Sequence, residues 1–146
     1  MTASQPLLNQ LNLVVRDMAA TVGFYQSLGL VIDAEPAAHH VAVQLPNGVL
    51  VEFDTTEFVG AWDSGWSGGT GGSVVLGFAL STRQAVDDTY ASLTSAGHRG
   101  HQRPYDGFWG ARYAIVEDPD GNSVGLMSPV DDACRYWPPT PPPGGG

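Results

Sequence analysis

Hydrophobic and polar residues alternate near the start of the chain. Leu11, Leu13 and Val15 occupy every second position. Gln10, Asn12 and Val14 occupy the alternate positions. Successive side chains of a strand point to opposite faces, so this pattern predicts a strand with an apolar face and a more polar one.

The spacing of apolar residues then becomes helical. Asp17 is of a residue type that caps helix N-termini, and Gly29 suits the left-handed position that often ends a helix. Apolar side chains recur between them every three or four residues, at Met18, Val22, Tyr25 and Leu28. The pattern predicts a helix over Met18 to Leu28.

A hairpin is predicted after this helix. Two strand-like runs, His40 to Leu45 and Val49 to Phe53, flank the sequence Pro46-Asn47-Gly48. An Asn-Gly pair favours the tight turns that join antiparallel strands. The first half therefore reads as a strand, a helix and two antiparallel strands.

The same order of elements recurs in the second half. Val74 to Leu80 is strand-like, and Ser81 to Gln84 has the form of a capping box that would open a helix reaching Leu93. Gly97 follows as a stop signal. Two further strands are predicted on either side of a turn at Asp118 to Asn122, namely Ala111 to Val116 and Ser123 to Met127.

The two halves can be aligned with each other. Tyr25 and Tyr90 are 65 residues apart, whereas Pro46-Asn47-Gly48 and Pro119-Asp120-Gly121 are 73 apart. The difference of eight indicates an insertion in the second half, which we place in Arg99 to Gly110. The chain thus reads as a tandem repeat.

We predict an α+β fold in a single domain, residues 1–146. Module one covers about 8–56, a Gly- and Trp-containing linker 57–73, and module two 74–129. The segment 130–146 is rich in Pro and Gly and is predicted to be polyproline-like or disordered, without a catalytic role.

Composition narrows the classes of partner. The formal net charge is −9 and the chain has only six Lys and Arg residues, which argues against nucleic acid and favours a cationic or neutral ligand. The same acidity would also keep any soluble protein dispersed. No apolar run approaches the length of about 18 residues that a membrane span needs, and the N-terminus lacks the build of a signal peptide. We therefore predict a cytoplasmic protein without membrane partners.

Three motifs together resemble the vicinal-oxygen-chelate superfamily, which includes glyoxalase I, extradiol dioxygenases and bleomycin-resistance proteins. They are Leu13 to Met18, Gly23 to Leu30 and Glu117 to Asn122. The resemblance covers roughly residues 8 to 129. It implies two tandem βαβββ modules that form a curled mixed sheet around a cavity, and it implies that homodimers are common.

In metal-using members, the resemblance implies four inward-facing ligands on the first and last strand of each module. Those positions correspond here to Gln10, Glu52, Val75 and Gly125. Val75 and Gly125 have no donor side chain, whereas a catalytic metal needs about three protein ligands. We expect no metal or other cofactor. Binding of a divalent metal by Glu52, Gln10 and His40 remains an alternative.

Histidines and aromatic residues supply further candidates. Neighbouring strand residues face opposite ways, so at most one of His39 and His40 faces the cavity, and we favour His40. His98 and His101 are predicted to lie in a loop. The ligand-binding candidates are Gln10, Asn12, Glu52, Trp62, Trp66, Tyr105, Phe108, Trp109, Arg112 and Tyr113.

The aromatic candidates suit a flat or cationic ligand, which they would hold by stacking and cation–π contacts. They would equally serve to cover one end of the cavity or to form a dimer contact. Arg112 suits orientation of a ligand carboxylate, or pairing with Asp106 or Glu117.

Three functions remain open. The first is a metal-independent small-molecule binding protein, for a drug or a metabolite, resembling the bleomycin-resistance branch. The second is an enzyme of the superfamily, a lyase, isomerase or dioxygenase, with Glu52 as residual metal ligand or general base and His40 as a further catalytic candidate. The third is a structural or regulatory protein whose sheets form a homodimer interface, with modules pairing within one chain or between chains.

Overall fold

The computed structural model describes Gln5 and residues 7–35, 37–72 and 74–144. Contacts divide the chain into two compact units, Met1–Gly71 (the first unit) and Gly72–Gly146 (the second unit). The first unit contains β1 (Gln10–Val15), α1 (Met18–Leu28), β2 (His40–Gln44), β3 (Leu50–Thr55) and the 3-10 helix Val59–Ala61. The second contains β4 (Val75–Ala79), α2 (Arg83–Ser95), β5 (Gly100–Asp106), β6 (Arg112–Glu117), β7 (Ser123–Met127) and the 3-10 helix Asp132–Cys134.

In the first unit, β3 is the central strand of a three-stranded sheet with the order β1-β3-β2. It pairs in parallel with β1 and antiparallel with β2. Val41, Val51 and Phe53 are buried on one face, and Tyr25 of α1 stacks on Phe53 with ring centroids 5.1 Å apart. The apolar face therefore packs against the helix, as the alternation in the sequence requires.

The predicted ends of α1 are confirmed. The Asp17 carboxylate accepts a hydrogen bond from the Ala20 N–H at 3.0 Å, which satisfies a donor that the first helical turn leaves unpaired. Gly29 has a φ of 123°, and its N–H donates to the carbonyls of Tyr25 and Gln26. Helices commonly end at a residue with positive φ whose N–H donates to a carbonyl of the last turn.

In the second unit, four strands have the order β4-β7-β6-β5. One face buries Leu76, Val124 and Leu126, and α2 buries Val86 and Leu93. The helix begins one residue later than a capping box at Ser81 requires. Its N-cap is Thr82, whose hydroxyl accepts from the Ala85 N–H at 3.0 Å, while Gln84 donates to Asp88 instead.

Strand pairing repeats between the units. In β1 and β3, Gln10 is opposite Leu50 and Asn12 is opposite Glu52; in β4 and β7, Val75 is opposite Ser123 and Gly77 is opposite Gly125. The strand positions differ by the same 65 and 73 residues that align the two halves of the sequence. Both pairs are parallel, so the repeat extends to the register of the sheets.

The α+β prediction is confirmed, with two mixed sheets and the tandem modules of the glyoxalase fold. The described part of module one nevertheless contributes only three strands, because residues 31–35 form none. Asp33 and Glu35 in this segment are of types that strands disfavour. Neither sheet is strongly curled, so the predicted curl is not confirmed.

The segment in which we placed an insertion forms β5 and a turn. His101 therefore lies on a strand, and its predicted position in a loop is wrong, because the backbone around it pairs antiparallel with β6. His98 does lie between α2 and β5. Among the described helices, none is long and apolar enough to cross a membrane.

Candidate functional site

Polar side chains converge on the open face of the sheet in the first unit. The strand register places Asn12 beside Glu52 and His40 beside Asp54, with Gln10 two residues before Asn12. Residues two apart on a strand share a face, so these five side chains lie together opposite the face that packs on α1. We call Gln10, Asn12, His40, Glu52 and Asp54 the polar cluster.

The Glu52 carboxylate is held by two amides. The Gln10 side-chain amide donates to Glu52 Oε2, and Asn12 Nδ2 approaches the same oxygen at 3.5 Å. The Glu52 side chain is 15% exposed, so it is largely buried and still accessible from solvent. Neither amide neutralises the charge, and the carboxylate remains available to a donor from outside the protein.

A second carboxylate, Asp54, lies beneath His40. Its side chain is 1% exposed, accepts a hydrogen bond from Asn12 Nδ2 at 2.7 Å, and lies 2.5 Å from His40 Nδ1. A carboxylate can only accept, so Nδ1 carries the proton and the lone pair of a neutral ring is left on Nε2. His40 Nε2 is 3.8 Å from Glu52 Oε1.

Asn12 connects the two carboxylates, and one of its atoms has no partner. Its amide nitrogen approaches both Glu52 and Asp54, which fixes the orientation of the amide, because a carbonyl in that place would face two acceptors. Asn12 Oδ1 is buried and lacks a hydrogen-bond partner among the described residues. A buried acceptor without a partner costs free energy that a bound donor would recover.

The charge around the polar cluster is strongly one-sided. Residues 1–71 contain seven Asp and Glu residues and one basic residue, Arg16, which gives a formal net charge of −6 with neutral histidines. The cluster therefore lies in the more acidic unit, since residues 72–146 contain eight acidic residues and five arginines.

Reasoning from the sequence missed Asp54. The predicted strand ended at Phe53, whereas β3 continues to Thr55. A strand two residues longer would have placed Asp54 on the same face as Glu52, which was the available signal. Glu52 is therefore one of two carboxylates in the cluster.

Aromatic side chains cover the open face of the sheet in the second unit. The Trp109 ring lies 5.4 Å from Tyr113, 6.2 Å from Tyr105 and 5.3 Å from Phe108, each nearly edge to face. The indole N–H of Trp109 also points to Met127 Sδ at 3.4 Å. Edge-to-face rings attract each other, so this set is a packed surface. We call Tyr105, Phe108, Trp109 and Tyr113 the aromatic cluster.

The aromatic cluster covers the position that repeats Glu52. A Cβ atom built on Gly125 would lie 2.8 Å from Tyr113 Oη, closer than real Cβ atoms approach an oxygen. Tyr113 therefore occupies the space that a side chain at Gly125 would fill. Val75, the repeat of Gln10, is half-exposed on the same face.

Burial raises the pKa of two tyrosines in this cluster. The pKa of Tyr113 is raised above its ordinary value because burial disfavours the charged phenolate. The pKa of Tyr105 is raised first by burial and then by the nearby phenols of Tyr113 and Tyr136. Both rings therefore stay neutral well into the alkaline range.

Arg112 is engaged within the protein. Its guanidinium lies 3.0 Å from Asp87 of α2 and 3.3 Å from Asp106 of β5. Pairing with Asp106 is one of the alternatives that the sequence left open; Glu117, the other acidic alternative, pairs with Arg99 at 3.2 Å. Arg112 thus connects a helix to the sheet.

The remaining candidates have local contacts. His39 Nδ1 lies 2.9 Å from the Thr55 hydroxyl. Trp62 follows the 3-10 helix Val59–Ala61 and is half-exposed, and the Trp66 indole donates to the Gly69 carbonyl at 3.2 Å. Trp62 and Trp66 remain predicted ligand-binding residues.

The four positions that correspond to metal ligands do not suit a divalent metal. Gln10 directs its amide nitrogen at Glu52, and the side chains of Val75 and Gly125 have no donor. Within the described ranges, no group of three or more His, Cys, Asp or Glu residues is arranged to hold a metal ion. A Lewis-acid site needs about three such ligands around an open position.

Comparisons with known proteins agree on the fold. A glyoxalase-related enzyme from Fulvimarina pelagi has a TM-score of 0.74 at 20% identity, covering 86% of this chain and 89% of its own. A glyoxalase/bleomycin resistance protein/dioxygenase from Nocardioides has a TM-score of 0.71 at 23% identity, covering 90% and 88%. A glyoxalase/bleomycin resistance protein/dioxygenase family enzyme from Burkholderia phytofirmans PsJN has a TM-score of 0.70 at 22% identity, covering 83% and 97%.

At these identities the structural likeness shows the fold alone. No curated protein sequence matches the chain. The family model described as Glyoxalase/Bleomycin resistance protein/Dioxygenase superfamily matches residues 7–126, which is most of the chain and spans module one and nearly all of module two. The chain belongs to the glyoxalase/bleomycin resistance protein/dioxygenase superfamily.

Proposed function

We propose that the protein is a metal-independent small-molecule-binding protein, in which Glu52 binds a cationic or hydrogen-bond-donating group of a drug or metabolite. The observation that carries this proposal is the Glu52 carboxylate, which Gln10 and Asn12 hold in place while it remains partly exposed. An acceptor that is fixed in advance loses little conformational freedom when a donor binds.

Charge and the unpaired Asn12 oxygen support a donor as the ligand group. The net charge of −6 in residues 1–71 attracts cations and repels anions. Asn12 Oδ1 would accept a second hydrogen bond from the same ligand, such as an amine or a guanidine with several N–H groups. The aromatic cluster supports stacking of a flat group as a further mode of ligand binding.

Metal independence rests on the donor chemistry. Of the four positions at which metal-using relatives are expected to carry ligands, only Glu52 has a carboxylate. Tyr113 fills the space beside Gly125, so the sheet of the second unit offers no room there for an added ligand side chain. These observations favour recognition by hydrogen bonds and charge over Lewis-acid chemistry.

Calorimetric titration with amines, guanidines and matched neutral alcohols tests the proposal. We expect cations to bind and Glu52→Gln, which keeps the shape and removes the charge, to weaken affinity by about 10-fold to 100-fold, the loss of a charge-assisted hydrogen bond. Asp33→Asn is the matched control, because it removes one exposed negative charge from the same unit. Equal weakening in both variants would reduce the effect to general electrostatics and contradict a role for Glu52.

The His40–Asp54 pair favours a second candidate, an acid–base enzyme of the superfamily. A buried carboxylate that fixes the imidazole tautomer leaves Nε2 to accept a proton from a substrate, with Glu52 as an alternative base beside it. Mass spectrometry of each bound compound after incubation separates the two candidates. Unchanged compounds support binding alone, whereas conversion that His40→Gln abolishes while binding persists supports catalysis.

We also propose a homodimer in the cytoplasm. Size-exclusion chromatography with light scattering tests the oligomeric state, and a monomer at micromolar concentration would contradict it. Fractionation of cells that produce the protein tests the location. The ligand proposal does not depend on either result.

A further inference from the structure

The C-terminal segment from Tyr136 to Pro143, which we call the strap, is tied to the second unit at both ends. At its start, the Tyr136 N–H donates to the Phe108 carbonyl at 3.0 Å, and the Tyr136 hydroxyl donates to the Asp106 carbonyl at 2.8 Å. At its far end, the Pro143 carbonyl accepts from Gln102 Nε2 at 2.9 Å. The strap therefore follows the edge strand β5.

Between these anchors the strap leaves a gap. A cavity of about 300 Å³ lies between the strap and the turn after β5, lined by Tyr105, Phe108, Tyr136 and residues 139–142. Proline fixes φ and has no N–H, so Pro139, Pro141 and Pro142 stiffen this part of the wall, and within residues 139–142 only Thr140 has a backbone N–H. A stiff wall held at two ends keeps the cavity open.

We propose that this cavity is a second ligand site, for a flat and uncharged aromatic ring, and that the strap is one of its walls. The site shares Tyr105 and Phe108 with the aromatic cluster, but it uses neither Glu52 nor any other member of the polar cluster, so it goes beyond the binding proposed at Glu52. It gives a ligand-binding role to a segment for which the sequence predicted no catalytic role.

The chemistry of the lining sets the class of ligand. Among the described residues that line the cavity, none is charged. The nearby Asp106 carboxylate pairs with Arg83 and Arg112. Tyr105 and Phe108 offer ring surfaces for stacking, while the hydroxyls of Tyr136 and Thr140 can bond one polar group of the ligand.

The volume limits the size of that ligand. Pockets for drug-sized molecules span about 300 to 1,000 Å³, so this cavity is at the small end. A compound of one or two rings fits this range. Indole has that size, no net charge and one N–H donor, and it is the probe that we choose.

The test titrates the ¹⁵N-labelled full chain with indole and follows backbone amide shifts. We expect saturable shifts at Phe108, Tyr136 and Thr140, with the amides of Asn12 and Glu52 unchanged. Shifts confined to the polar cluster, or no saturable shifts, would overturn the proposal. Because the two sets of amides belong to different units, failure here and failure of the proposed function are read separately.

Two variants test the strap itself. Gln102→Ala removes the far anchor, and Pro141→Gly loosens the wall; each is expected to weaken indole binding by about fivefold or more, as apolar contact with the ring is lost. Gln84→Ala is the matched control, since it removes the same side chain from a helix surface where it donates only to Asp88. Equal indole affinity in Gln102→Ala, Pro141→Gly and Gln84→Ala would show that the strap does not contribute to the binding site.

Related probes test the ligand class. Cyclohexanol measures the apolar contribution without an aromatic ring, and indole-3-acetate and tryptamine add a negative and a positive charge. We expect all three to bind more weakly than indole, because the lining offers aromatic rings for stacking and no charged side chain among the described residues. Cyclohexanol binding as well as indole would refute the preference for an aromatic ring.

Discussion

Replacing Gly125 with alanine tests whether Tyr113 fills the place that repeats Glu52. The added Cβ would lie 2.8 Å from Tyr113 Oη and 3.3 Å from its Cε1. The tyrosine must therefore move by several tenths of an ångström, within a set of rings packed against Trp109. Gly125 lies in the middle of β7, where its φ is not positive, so alanine suits the backbone itself.

Two opposing contributions set the size of the effect. Inserting a methyl group into a packed site costs about 1 to 3 kcal/mol. Replacing glycine in a strand gains roughly 0.5 to 1 kcal/mol, because the unfolded chain loses freedom. We expect Gly125→Ala to lower the free energy of unfolding by about 1 to 2 kcal/mol. In a Tyr113→Leu background the close contact is absent, and Gly125→Ala is expected to raise the free energy of unfolding by roughly 0.5 to 1 kcal/mol.

Urea unfolding followed by tryptophan fluorescence and circular dichroism measures all four proteins of this double-mutant cycle. Gly77→Ala is the matched control, since Gly77 is opposite Gly125 on β4 and a Cβ there would meet no atom within 4 Å. It should be neutral or stabilising. If Gly125→Ala destabilises the protein equally with tyrosine and with leucine at position 113, the contact with the phenol is not the cause of the destabilisation.

Three further predictions concern the polar cluster, the helix–sheet ion pairs and the tyrosines. Asp54→Ala should lower the free energy of unfolding by about 1 to 3 kcal/mol, because it leaves the buried amide of Asn12 without its 2.7 Å acceptor; unchanged thermal stability by circular dichroism would contradict this. Arg112→Ala should lower the free energy of unfolding by about 1 kcal/mol, since the carboxylates that Arg112 pairs with are partly exposed. It should leave ligand affinity unchanged. Weaker ligand binding without a loss of stability would instead indicate that Arg112 binds the ligand. Burial raises the pKa of Tyr113 in the folded protein, so folding favours the neutral phenol. This contribution to the free energy of unfolding is complete below the ordinary tyrosine pKa of about 10, and it is lost as pH rises through the folded-state pKa. Absorbance titration should therefore show phenols ionising above the ordinary value, fewer of them in Tyr113→Phe, and titration of every tyrosine at the ordinary value would contradict it.

Much of the fold could be predicted from the sequence, because it depends on capping residues and on repeated patterns of apolar positions. Asp17 and Gly29 delimit α1 because capping depends on the residues at the helix ends alone. The offsets of 65 and 73 residues predicted the register of both parallel pairs, since a repeated pattern of apolar positions must bury the same face. β5 was missed because pairing with β6, with two shifts of register, decides that strand.

The candidate site was only partly predictable, because its contacts join residues far apart in the chain. Alternation along the strands placed Gln10 and Glu52 on one face, but it could not show that Asn12 connects Glu52 to Asp54. The strap illustrates the same limit: its composition predicted a segment without a core, whereas its anchors lie more than 25 residues away in sequence, as between Tyr136 and Asp106.

The contact between Tyr113 and Gly125 also bears on how this chain could change by mutation. A carboxylate placed at position 125 would meet the phenol ring, so it would fit with the least displacement if Tyr113 changed first. The order of substitutions matters, because a side chain at position 125 meets the phenol only while Tyr113 is present. One tyrosine therefore opposes a second carboxylate at the position that repeats Glu52, and it keeps the two repeated positions chemically different.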